Sequence, residues 1–171
     1  GAISALRSDD REVSWENENA SLTHLRAALE LVRKMRSAAQ NEESRRAREQ
    51  LRKAYQLLAK RQLDLHEKTK PLTLNTKPSR RHRAMVVRLG HEEEDLRIAA
   101  SELTEQTKPP MLFEYMHDQI DKTAGQVVEQ MRSGNATTTG LSRQQRVANM
   151  LVQLAAALEE ATQPQEYEAS A

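Results

Sequence analysis

Apolar side chains recur along this sequence at steps of three and four residues, a spacing that gathers each set on one face of an α-helix. Leu22, Leu25, Leu29, Val32 and Met35 mark a helix over about residues 21–39, with Ser21 as its N-cap. Ala47, Leu51, Ala54, Leu58 and Leu65 mark a second over about 41–68, and Gln62 and Thr69 continue its stripe in polar form. The third, over about 79–105, carries Val86, Leu89, Glu93, Leu96, Ala100 and Leu103, close to a heptad. Phe113, Met116, Ile120, Val127 and Met131 mark the fourth, over about 110–133, with Pro110 at its first turn. Val147, Leu151, Leu154 and Leu158 mark the fifth, which Ser142 opens with Gln145 as a capping box.

Five glycines and five prolines in 171 residues leave few places to turn. A sandwich or barrel needs a turn every ~8–12 residues, so an all-β fold is argued against. Pro71 stops the second helix, and residues 70–78 form a loop bracketed by Pro71 and Pro78. Thr107-Lys108-Pro109-Pro110 is the clearest break, and Ser133 to Gly140 is a loop by composition. At 1.5 Å per residue the second and third helices are rods of roughly 40 Å. The short loop between them predicts an antiparallel hairpin. The expected fold is all-α: an up-and-down bundle of about five amphipathic helices, forming one domain over 20–161. An irregular lead over 1–19, pinned by Trp15, precedes it, and a disordered tail over 162–171 follows. The chain opens on Gly1 rather than Met, and Ala2-Ile3-Ser4-Ala5-Leu6 is read as the remnant of a removed apolar segment.

Lys and Arg number 26 against 25 Asp and Glu, so no global electrostatic partner is implied. The chain has no cysteine, which removes disulfides, thiolate zinc sites and cysteine catalysis. No apolar run approaches the ~20 residues that span a bilayer.

No set of residues reads as catalytic. Glu114-x-x-His117 has the spacing of a di-iron bundle, but such a site needs a second motif and two more inward glutamates. His91-Glu92-Glu93-Glu94 lacks the second His of a zinc protease. The glycines of the 133–140 loop are wrongly spaced for a phosphate loop. Glu93 is the odd member of an apolar stripe and is expected to face a basic residue or a frayed seam. Gly90 permits a close helix approach or a bend, at up to ~1 kcal/mol against Ala. No enzyme, metal or cofactor is expected.

Charge is nonetheless segregated. Lys68, Lys70, Lys77, Arg80, Arg81, Arg83 and Arg88 follow one another with no acid among them. One reading is contact with an anionic partner or surface, carried by Lys77, Arg80, Arg81 and Arg83. The other is a solvated helix start paired with neighbouring acids. Arginine at a helix N-terminus opposes the dipole, so helix stability does not explain the choice. Nucleic acid is disfavoured because no aromatic interleaves the cluster for base stacking.

Leu65-His66-Glu67-Lys68-Thr69-Lys70-Pro71 and Leu103-Thr104-Glu105-Gln106-Thr107-Lys108-Pro109 share the pattern Leu-x-x-x-Thr-Lys-Pro. It fits a duplicated hairpin, and equally a common way to stop a helix. The run Leu58 to Thr69, with Arg61-Gln62-x-x-Leu65-x-x-x-Thr69, precedes Thr139-Gly140-Leu141-Ser142-Arg143-Gln144-Gln145 and the helix ending Leu154-Ala155-Ala156-Ala157-Leu158. Together, over residues 58–158, these resemble the helical segments of uncharacterised exported bacterial proteins, found in large envelope-associated chains. The resemblance implies an exported, periplasmic or envelope location and a role as spacer or interaction module. It implies no site residues. The expected function is therefore a non-enzymatic structural or protein-interaction module whose partner is another protein or a second copy. The alternative is a binder of an anionic ligand or surface through residues 68–88.

Overall fold

The structure, a computed structural model, describes the backbone of residues 2–107 and 111–162 and the side chains of residues 19–104 and 113–159. The described residues form four α-helices and no strand: α1 (Ala2–Thr69), α2 (Arg80–Thr107), α3 (Met111–Arg132) and α4 (Thr138–Thr162). A short 3-10 helix, Lys70–Leu74, follows α1.

The all-helical class stands, but the count of about five does not. The expected irregular lead, first helix and second helix are one helix. No glycine or proline falls between Ala2 and Lys70. The polar residues near Asn41 interrupt the apolar stripe without interrupting the backbone hydrogen bonds that make a helix. Trp15, expected to pin the lead, lies outside the described side chains. The tail expected to be disordered lies, beyond Thr162, outside the described residues.

Packing divides the chain between Arg46 and Ala47. In the second unit the core forms two clusters. One gathers Tyr55, Leu58, Leu96, Ala100, Ile120, Ala124, Val147, Leu151, Leu154 and Leu158 with their neighbours. The other gathers Leu65, Val86, Leu89, Val127 and Met131. From the first cluster to the second, numbers rise along α1 and fall along α2, so these two segments run in opposite directions. Gly90 marks a close crossing of α2 and α3: a Cβ there would lie 2.9 Å from Met131 Cβ.

Local chemistry sets the helix ends. Ser79 caps α2, accepting from the His82 N–H at 3.1 Å. α3 ends on Gly134, whose φ of 76° suits a residue without a Cβ. The Asn135 N–H donates to the Gln130 carbonyl at 3.3 Å and the Gly134 N–H to the Met131 carbonyl at 2.9 Å, a Schellman close. The expected capping box at Ser142 is not the start of α4. Thr137 is the cap, accepting from the Gly140 N–H at 3.0 Å. Ser142 lies inside the helix and donates to the Thr138 carbonyl at 3.2 Å. Thr138 to Gly140, read as loop, are helical because the Thr137 hydroxyl supplies the acceptor that starts them.

Candidate functional site

The basic residues singled out in the sequence sit in one short stretch. Lys77 lies in the loop before α2, and Arg80, Arg81 and Arg83 occupy the first turn of α2. All four are exposed. None of their side chains has an ion-pair partner among the described residues. Lys68 differs, since its ammonium meets Glu92 at 3.2 Å. Arg83 also stands over the end of α3: a Cβ on Gly134 would come within 3.1 Å of Arg83 Cβ.

The interior holds a polar cluster that periodicity alone did not assemble. Glu93 is fully buried on α2, as are Gln62 on α1 and Gln144 on α4. Glu93 Oε2 accepts from Gln62 Nε2 at 2.9 Å and from Gln144 Nε2 at 3.1 Å. Gln144 Nε2 also approaches the Thr69 hydroxyl at 3.3 Å, and that hydroxyl donates to the Leu65 carbonyl at 2.8 Å. The expectation of a basic partner for Glu93 therefore fails, because two amides take that place. Burial pushes its carboxyl pKa up, against the two amide hydrogen bonds that pull it down. No cation among the described residues offsets that burial, which disfavours the charged form. The amide oxygens Gln62 Oε1 and Gln144 Oε1 and the second carboxyl oxygen, Glu93 Oε1, have no partner among the described residues.

His117, the histidine of the Glu114-x-x-His117 spacing, meets a tyrosine. It is buried on α3 and its Nε2 lies 2.6 Å from the Tyr55 hydroxyl of α1. Burial lowers the His117 pKa and pushes that of Tyr55 up to about 12. Burial thus disfavours the charged ring, and the imidazole tautomer sets which of the two groups donates. A shallow cleft between α2 and α3 opens beside it, lined by Arg97, Ser101, Glu114, His117 and Asp121 among others. Arg97 is held there by Glu94 and Asp121, each at 2.8 Å. Among the described residues no group of His, Asp and Glu could hold a metal ion. The Arg97–Asp121 pair ties α2 to α3 across this cleft.

The largest departure from a closed helical domain lies in α1 before residue 47. Leu22, Leu25, Leu29, Leu31, Val32 and Met35 are 50–66% exposed. The sequence marks five of them as the buried stripe of a first helix. They are instead a surface, with Ala28, Ala38 and Ala39 among them. At 100° per residue these nine positions cover about half the circumference of the helix. A two-stranded coiled-coil seam is narrower, with charged residues at its flanks. Fully burying a side chain of this kind contributes about 1.5–3 kcal/mol. Covering the half that remains exposed on six of them would contribute roughly 5–9 kcal/mol. That is comparable with the ~4–15 kcal/mol that association costs in lost freedom. No helix among the described residues is long and apolar enough to cross a membrane.

No family model, curated protein or solved structure matches the chain.

Proposed function

We propose that this chain is a non-enzymatic helical interaction module that docks through the apolar face of α1 between Leu22 and Ala39. One observation carries the reading: six large aliphatic side chains on one helix face, each at least half exposed. An isolated helix draws most of its stability from packing an apolar face, so this segment calls for a cover. The packed core of the described residues between Leu51 and Leu158 supports the division of labour. The segment from Leu58 to Leu158 resembles those of exported bacterial proteins, and we place the module in such a protein, in the periplasm or envelope. The finer architecture we assign to the packed unit is an up-and-down bundle.

The test is a triple substitution, Leu25→Asp, Leu29→Asp and Val32→Asp. Thermal unfolding of the packed core should be unchanged. Chemical crosslinking in an extract of the source cells should give a discrete complex for the unsubstituted chain and none for the variant. Equal crosslinking of both would contradict the reading.

A second reading draws on four exposed basic residues without ion-pair partners among the described residues: the module contacts an anionic surface through Lys77, Arg80, Arg81 and Arg83. Cosedimentation with phosphatidylglycerol vesicles, lost when the four are changed to Glu, would favour it. Binding unaffected by those changes would exclude it.

A further inference from the structure

We infer that the partner covering the α1 face is an acidic amphipathic helix, one whose apolar stripe is flanked by carboxylates. This rests on the docking reading above and names the chemistry of its occupant.

The inference follows from the charges that border the face. Stepping at about 100° per residue, Arg26 and Arg33 stand beside Leu22 on one edge. Lys34 lies beyond Leu31 and Ala38 on the other edge. Arg36 falls inside the face, between Leu25 and Leu29. Glu30 is the sole acid from residue 19 to residue 39, and Arg33 already reaches it at 3.3 Å. The side chains of Arg26, Lys34 and Arg36 have no ion-pair partner among the described residues. Both borders are therefore basic, and a cation sits within the apolar field itself.

A cover must complement both features. Aliphatic side chains on the partner match the leucines. Carboxylates flanking that stripe match Arg26, Arg33 and Lys34, and one at the seam matches Arg36, which offers a planar fork to a carboxylate. A second copy laid with this same segment over its twin would set cations against cations, since 26–36 is basic in either direction. Like charges across such a seam select against pairing.

The probe is a synthetic four-heptad peptide with Leu at a and d and Glu at e and g, labelled for fluorescence anisotropy. Its counterpart carries Lys at e and g. The full chain should bind the Glu peptide, at least about tenfold more tightly than the Lys peptide, and more weakly as salt rises. Leu25→Asp with Val32→Asp should remove binding. The triple reversal Arg26→Glu, Arg33→Glu and Arg36→Glu leaves the apolar face intact and should exchange the preference toward the Lys peptide. Binding of neither peptide, or of both equally, would overturn the inference. So would self-association of the chain through this face, or its capture by phosphatidylglycerol vesicles with loss on the same reversal. Self-association abolished by Leu25→Asp would leave the docking module standing and overturn only the acidic partner. A face that nothing covers would end both.

Discussion

Gln62 and Gln144, from α1 and α4, donate to the same oxygen of Glu93 on α2, at 2.9 and 3.1 Å. That one carboxyl thus ties three helices at a point that no cation among the described residues reaches. Burial holds its pKa above the usual 4.5. For an acid raised in the fold, the stabilising contribution is fully present below the unfolded value. It is lost as pH rises through the folded one. Thermal stability should therefore fall on the alkaline side of 4.5 as Glu93 ionises. Glu93→Gln, which keeps the shape and removes the ionisation, should flatten that limb of the Tm-against-pH profile. A profile unchanged by the substitution would show that Glu93 ionises without cost.

His117 acts at the other side of the pH scale. Burial lowers its pKa from 6.5, so the fold favours the neutral ring. Its contribution is present above 6.5 and is lost as pH falls through the depressed folded value. Tyr55→Phe leaves Nε2 buried without its hydrogen-bond partner, at an expected cost of about 1–3 kcal/mol. Urea unfolding at neutral pH measures it, and an unchanged midpoint would mean that the 2.6 Å contact contributes nothing.

Two glycines in helix interiors should respond in opposite ways to alanine. At Gly90 the new methyl would lie 2.9 Å from Met131 Cβ, so α2 and α3 must separate. A net loss of about 1–3 kcal/mol is expected despite the gain in helix propensity. At Gly125 nothing lies within 4 Å of the added carbon, and the propensity gain of up to ~1 kcal/mol should appear undiminished. Denaturant unfolding of the two variants side by side gives the comparison. Equal effects at both sites would deny the close crossing at Gly90.

The Thr137 cap gives a fourth expectation. Thr137→Ala removes the acceptor for the Gly140 N–H and the donor to Gln130 Oε1. The cost should be about 1–2 kcal/mol. Ser142→Ala, at the position the sequence favours as the helix start, should cost a few tenths at most. A larger loss at Ser142 than at Thr137 would reverse the assignment.

Helical class was legible because spacing of three and four is a backbone property, and each apolar stripe carries it locally. The merging of the first two helices was not. Asn41 and its polar neighbours look like a break when stripes are counted, yet only proline, glycine or a competing cap would end the helix. Gln62, Thr69 and Glu93 were visible as polar members of apolar stripes. That they meet, with Gln144 as the fourth, depends on the relative register of α1, α2 and α4, which no local pattern encodes. Tyr55 and His117 are 62 positions apart and share no motif. The basic stretch was legible as charge, but the exposed face of α1 was read as core. Periodicity says that a face is apolar, and not whether anything covers it.

Amide hydrogen exchange along α1 tests the central claim most directly. In the isolated full chain, at a concentration where it sediments as a monomer, amides of residues 22–39 should exchange far faster than those of residues 55–66, whose neighbours build the core. Adding the Glu-flanked peptide should slow exchange in 22–39 and leave 55–66 unchanged. Protection of 22–39 equal to that of 55–66 in the monomer alone would contradict the claim that this face stands uncovered.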